Sequence, residues 1–326
     1  MDDQSNRTQR NSSKKKKSAT KIFLSILLGL LVLITGVGGY VVWRVYDDVK
    51  QTTEVMYEPA EEQEPHESRL KKPLVVDEGE DPFSVLIMGV DTGDLGREYT
   101  GRSDTMMLVT VNPNTEKTSI VSIPRDTYTE IIGKDFKDKI NHAYAFGGTS
   151  MAMNTVQNLF DIPVDYYLSV NMEGMQTIVD AIGGIRITPP LSFEHSGNSF
   201  VAGEETHMTG AQALSYSRMR YEDPEGDYGR QYRQRQVIEA TMKQIATLDS
   251  VRNYSSVLES MSSSMKTNMS FDDMVDMFNK YRGAVNEVEQ IQLSGSGTMI
   301  DGIYYEIIPD EEIARVQEHL KDELEL

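Results

Sequence analysis

The residues best suited to chemistry in this chain are arginines. They cluster in Gly101-Arg102-Ser103-Asp104-Thr105 and in Ser217-Arg218-Met219-Arg220-Tyr221. The second cluster runs on to Gly226-Asp227-Tyr228-Gly229-Arg230-Gln231-Tyr232-Arg233-Gln234. A guanidinium is always protonated and presents a planar fork of donors, which matches carboxylate or phosphate oxygens held in fixed geometry. The whole chain carries a net charge of −19. Arginines massed against that background point to a cleft-bound polyanion, with phosphate as the first candidate. Two carboxylates accompany them, Asp91 at the end of one apolar run and Asp104 at the start of another. Paired carboxylates with little else suit Mg2+ or Mn2+, which keep waters and take phosphate oxygens as further ligands. The competing role for both aspartates is to cap turns. The chain has no cysteine, which excludes disulfides, thiolate metal sites and cysteine nucleophiles. His66, His142, His195, His207 and His319 are scattered, so no zinc site is expected.

These groups need elements to hold them. Residues 83–90 are an unbroken apolar run, as expected for a strand buried on both faces. Residues 106–112 and 118–124 read as two further strands joined by the turn Pro113-Asn114-Thr115-Glu116. Ile123-Pro124-Arg125-Asp126 ends the third and brings Arg125 to the edge where Asp91 and Asp104 would meet. Strands at 166–171, 185–188 and 289–294 alternate with helices at 150–160, 173–182, 210–217, 229–248 and 272–281. A last helix starts at Pro309. The pattern predicts one layered α/β domain over 82–326, with a central mixed sheet flanked by helices.

Helical phase gives the arginines a direction. Val237, Ile238, Thr241, Met242, Ile245 and Leu248 form one inward stripe, and stepping back along it reaches Arg230, Arg233 and Gln234. Buried guanidinium needs a partner, and positive charge at a helix N-terminus opposes the macrodipole. A bound anion would relieve both. The alternative is pairing with Asp223, Glu225 or Asp227 just upstream. Arg218 and Arg220 project to one side if the chain is extended there, and diverge if the helix continues through them.

The N-terminus carries a different message. Residues 22–43 are uncharged and mostly apolar, long enough at about 1.5 Å per residue for the roughly 30 Å hydrocarbon core. Arg7, Arg10, Lys14, Lys15, Lys16, Lys17 and Lys21 precede the run against only Asp2 and Asp3. The positive-inside rule puts residues 1–21 in the cytoplasm and the rest of the chain outside, as a single-pass type II protein of the cell membrane. The run exceeds a usual signal-peptide core and lacks a small-residue cleavage site, so an uncleaved anchor is expected. Residues 44–81, rich in Glu, Asp and Pro, read as an extended, solvated acidic stalk. An acidic chain repels nucleic acid, so none is expected as a partner.

Several motifs, in order, resemble the LytR-CpsA-Psr family. They are Met88-Gly89-Val90-Asp91, Gly101-Arg102-Ser103-Asp104-Thr105, Ser122-Ile123-Pro124-Arg125-Asp126-Thr127 and Lys139-Ile140-Asn141-His142-Ala143-Tyr144. Gly147-Gly148, Ala181-Ile182-Gly183-Gly184, Gly210-Ala211-Gln212-Ala213-Leu214, Arg218-Met219-Arg220 and the segment 226–234 complete the set. The likeness spans 83–245. It implies an extracytoplasmic phosphotransferase that moves a glycopolymer, such as wall teichoic acid, from an undecaprenyl-diphosphate carrier to the muramic acid 6-hydroxyl of peptidoglycan. It implies Mg2+ on Asp91 and Asp104, a pyrophosphate site of Arg102, Arg125, Arg218, Arg220, Arg230 and Gln234, and a hydrophobic tunnel for the prenyl chain. Asp91, Arg102, Arg125 and Arg220 are the residues assigned to catalysis, Asp91 being placed to assist deprotonation. Two departures stand out. Many members carry an Arg soon after the motif Asp, which leaves Arg97, on a longer loop, to take that place. Arg235 stands where a second Gln is common. The rival readings are a non-enzymatic envelope sensor that binds lipid-linked polyanions, and a hydrolase that gives the same pyrophosphate to water. The short basic tail has no DNA-binding fold, which disfavours direct transcriptional action.

Overall fold

The computed structural model describes residues 54–91, 101–248 and 264–326, with positions 47, 50, 257, 260 and 262. The basic tail, the apolar run 22–43 and Arg97 lie outside the described residues. The chain divides into units 1–50 and 51–326, and the description below concerns the second. Among the described residues no helix is long and apolar enough to cross a membrane.

Six strands form the main sheet: β1 (Phe83–Val90), β2 (Ser103–Asn112), β3 (Lys117–Ser122), β6 (Tyr166–Val170), β11 (Met265–Thr267) and β12 (Glu287–Gln292). Their spatial order is β11-β6-β1-β2-β3-β12. β1 pairs parallel to β6 and β3 parallel to β12, while the other neighbours are antiparallel. The sheet is therefore mixed, as expected. The β2–β3 turn closes with Asn112 opposite Lys117. The Asn112 side-chain oxygen accepts from the N–H groups of Asn114 and Thr115, at 2.8 and 3.1 Å, so one side chain shapes the turn.

Both faces of the sheet are covered, which is why β1 is apolar without alternation. On one face Leu86, Met88, Leu108 and Val121 pack against α2 (His142–Phe160) and α7 (Asp310–Glu323) through Met153, Val156, Val316 and Leu320. On the other, Val85, Met107, Val109 and Ile120 meet Ile238 and Met242 of α5 (Asp227–Ala246) and Met277 of α6 (Phe271–Lys280). α2 begins eight residues before the expected start because two helical pieces join across a kink, where Gly147 and Gly148 leave helical geometry and Gly148 has φ 65°.

The remaining elements are short. α1 (Glu67–Lys71) precedes the sheet. β4 (Tyr128–Glu130) and β5 (Lys137–Lys139) form a ribbon, as do β8 (Phe193–His195) with β9 (Asn198–Phe200) and β13 (Ser296–Ile300) with β14 (Ile303–Ile307). The strand expected at 185–188 appears as β7 (Ile185–Ile187). It pairs with β10 (Thr206–Met208) outside the main sheet. α3 (Met172–Ala181) ends before Gly183 and Gly184, both at positive φ, and α4 (Gly210–Arg218) starts with a Thr209–Gln212 capping box.

The described part of the acidic stretch 44–81 is largely exposed, but it is tied to the domain at a few points. Met56 is fully buried, and Glu58 N–H donates to the Thr267 carbonyl at 2.8 Å. Arg69 of α1 makes a two-pronged pair with buried Asp165 at 2.7 and 2.8 Å. A few isolated anchors without periodicity fasten this segment, and average composition hides them.

Candidate active site

β1 and β3 both run antiparallel to β2, and each has a parallel neighbour. The carboxyl ends of β1, β3, β6 and β12 therefore reach one edge of the sheet, where α/β folds bind ligands. β2 runs the other way and starts at that edge. Asp104 and Arg125 meet there, and Asp91 follows the end of β1 at the same edge.

The β1–β2 register shows how Asp104 is aimed. Gly89 lies opposite Thr105 and Val90 opposite Ser103, which leaves Asp104 as the extra residue of a bulge. β2 thus begins three residues before the expected start, with Asp104 inside it. Arg125 Nη1 donates to Asp104 Oδ1 at 2.8 Å, and Asp91 Oδ1 accepts the Arg102 backbone N–H at 2.8 Å. A Cβ on Gly89 would stand 3.0 Å from the Thr105 Cβ, so glycine lets Thr105 sit close. Thr105 Oγ1 then accepts from Gln234 Nε2 at 3.0 Å, which ties the sheet edge to the start of α5.

Asp104, Ser122, Arg125, Asp227, Arg230 and Gln234 line a small polar pocket between that edge and the first turns of α5. Arg230 pairs with Asp227 at 2.9 Å and Arg220 approaches the same oxygen at 3.4 Å. Burial pulls Arg230 below the usual guanidinium value, Asp227 opposes this, and the charges of Arg125 and Arg220 pull it down further. Arg230 Nε is buried without a hydrogen-bond partner. For Arg125, burial works against the charge, but Asp104, with Asp126 and Asp227, more than offsets it and the net shift is upward. Three like charges are thus held within electrostatic reach around a polar hollow, an arrangement that favours an entering anion.

The other expected residues fall at different places. The Arg102 side chain is exposed, and only its backbone N–H is tied to Asp91. Arg218 ends α4 and Met219 leaves the helix (φ −59°, ψ 135°) and is buried, so the helix does not continue through Arg220, and Arg218 and Arg220 are both exposed. Arg233 is not a pocket residue. It is fully buried, pairs with Asp223, and donates to the carbonyls of Tyr216 and Met219. The upstream-pairing alternative therefore holds for Arg233 with Asp223, and in part for Arg230 with Asp227.

Sequence reasoning gave no role to Arg235. It is buried beneath the pocket, with Nη1 donating to Ser122 Oγ and Gln292 Oε1, each at 2.7 Å. Burial holds it down to about 10. The signal available was the departure itself, an Arg where a Gln is common. Asp227 was legible as one of three upstream acids able to pair with the arginines, but not as a pocket residue.

Known proteins resemble this chain over most of its length. A model of the LytR_cpsA_psr family matches residues 44–322. The chain belongs to that family. An Enterococcus faecalis protein named polyisoprenyl-teichoic acid–peptidoglycan teichoic acid transferase TagU is 46% identical over 310 residues, covering 95% of this chain and 98% of its own. The crystal structure of Bacillus subtilis TagU is 44% identical with a TM-score of 0.62, covering 76% of this chain and 98% of that one. An E. faecalis crystal structure described as a transcriptional regulator is 42% identical with a TM-score of 0.69, over 77% and 90% of the two chains.

Proposed function

We propose that this family member is a phosphotransferase that moves a teichoic-acid-type glycopolymer from an undecaprenyl-diphosphate carrier to a peptidoglycan hydroxyl. The observation that carries the reading is that Arg125 and Arg230 line one polar pocket at the carboxyl edge of the sheet, with Arg220 close enough to approach Asp227 at its rim. Phosphoryl transfer spreads negative charge over nonbridging oxygens, so positioning and electrostatic stabilisation dominate the catalysis. Arg125 and Arg230 line the pocket and Arg220 joins them through Asp227, so they would grip the pyrophosphate, with Gln234 held on Thr105 as a neutral donor beside them. Arg102 and Arg218, exposed nearby, would meet the outer phosphate oxygens. The muramic acid 6-hydroxyl attacks the sugar-linked phosphorus, a new P–O bond forms, and undecaprenyl phosphate leaves. On the α5 side of the sheet the apolar residues Ile87, Leu168, Ile238 and Met242 are only partly buried, which supports that face as the resting place of a prenyl chain.

Mg2+ or Mn2+ fits the residues present. Asp104 and Asp91 offer hard oxygen donors at one edge, and among the described residues no set of three metal-binding side chains forms. The rest of the shell would be water and phosphate oxygen, as Mg2+ accepts readily. When bound, such an ion supplies neutralisation of the phosphate charge. Residues 22–43 would anchor the protein as a single-pass type II membrane protein, with the domain outside the cell.

The full-length protein in detergent, given a polyprenyl-diphosphate-linked glycopolymer and peptidoglycan fragments, is expected to release polyprenyl phosphate and label the glycan. Turnover should stop with EDTA and return with Mg2+, and Asp104→Asn should raise the Mg2+ concentration that half-restores it. Tight binding without turnover would instead mark a sensor. Release that is equally fast without the glycan would mark a hydrolase.

A further inference from the structure

Glu306 lies beside the pocket and is unlike the carboxylates within it. Asp104 faces Arg125, Asp126 faces Lys139 and Arg125, and Asp227 faces Arg220 and Arg230. Each of these already serves a cation. Glu306 is buried, and its two oxygens accept from two neutral phenols: Tyr228 Oη donates to Oε1 at 2.6 Å, and Tyr304 Oη to Oε2 at 2.7 Å. No cationic side chain is paired with it among the described residues.

Both neighbours of this group belong to the site. Tyr228 follows Asp227 in the first turn of α5. The Glu306 backbone N–H donates to the carbonyl of Asp126 at 2.8 Å, next to Arg125. Tyr228 Oη also accepts from Gly295 N–H at 2.9 Å, which fixes the phenol that holds Oε1. Tyr304 is different, being 45% exposed with its hydroxyl already on Glu306. Tyr304 and Glu306 point to the same face of β14, opposite Met299 and Gly297 of β13. A Cβ on Gly297 would stand 2.5 Å from Tyr304 Oη, so glycine is what lets the phenol fold back along its own strand. The Glu306 hydrogen bond, with burial, pushes the Tyr304 hydroxyl up to about 12, and the charges of Asp126 and Asp227 add to the shift.

We infer that Tyr304 and Glu306 form the acceptor-side proton relay of the transfer. This rests on the phosphotransferase reading above. As the acceptor hydroxyl attacks phosphorus, its proton passes to Tyr304 Oη while the phenol proton passes to Glu306 Oε2. The alkoxide oxygen gains the P–O bond, and undecaprenyl phosphate carries the displaced electron pair away. The phenol ends neutral, the carboxyl ends protonated, and the proton is later lost to solvent. Tyr228 is a positioning residue, since its hydroxyl is held between Glu306 and the Gly295 N–H.

The test uses full-length protein with a lipid-linked donor and a soluble glycan acceptor, and measures donor binding separately. Tyr304→Phe removes one hydroxyl and keeps the ring. It is expected to lower kcat about 10²-fold, with donor affinity and melting temperature unchanged. Glu306→Gln is expected to do the same, and the double variant to lose no more than either alone, because the two act as a unit. A folded Tyr304→Phe with near wild-type kcat overturns the relay. So does a loss in which rate, donor affinity and melting temperature fall together, since that marks a structural clamp. Absence of transfer by the wild-type protein overturns the phosphotransferase reading itself, whereas wild-type transfer with unaffected variants removes the relay alone.

Discussion

Arg230→Ala is expected to reduce transfer about 10²- to 10³-fold, the usual loss when one preorganised donor to a developing oxyanion is removed. The melting temperature is expected to stay near that of the wild type or rise slightly. The reason is electrostatic. Burial and the nearby charges of Arg125 and Arg220 hold the Arg230 guanidinium below its ordinary value, so without ligand its charge is carried at a cost. Removing it relieves that repulsion, and Asp227 keeps Arg220 at 3.4 Å. Arg230→Lys restores the charge without the fork, so it should recover donor binding better than turnover. Kinetics on the lipid-linked donor beside a thermal melt separate the two quantities. Wild-type turnover in Arg230→Ala would remove this residue from the site.

The parts legible in the sequence are those with a long period or an extreme composition. β1 shows as an apolar run because α2 and α7 cover one face and α5 and α6 the other. The inward stripe of α5 could be followed back to Arg230 and Gln234, and both line the pocket. Asp91 and Asp104 could be placed at one edge because a hairpin of adjacent strands leaves little choice. Three-residue strands such as β8 and β9 have too few positions to show a period, and the bulge that aims Asp104 depends on a register no single strand contains. Glu306 was invisible for another reason. Its partner Tyr228 stands 78 residues away, and ordinary turn and strand residues separate them.

Arg233 marks the limit of helical phase, which gives a direction and not a destination. Arg233→Met is expected to cost about 3–5 kcal/mol, because it strands a buried Asp223 whose counter-charge is gone. The carbonyls of Tyr216 and Met219 lose donors at the same time. Those carbonyls flank the turn that presents Arg218 and Arg220, so surviving folded protein should also bind the donor weakly. Asp223→Asn should destabilise in the same direction, and the double variant should cost less than the sum, as for coupled partners. Chemical denaturation of the single and double variants measures this directly. A Cβ at Gly229 would come within 2.0 Å of the Asp223 carboxylate, so the first turn of α5 is glycine where the ion pair needs room. One buried pair thus sets the end of α4, the turn and the start of α5, and with them the spacing of Arg218, Arg220 and Arg230. If Arg233→Met unfolds near the wild-type denaturant concentration, the pair contributes little and the turn must be held by its own backbone.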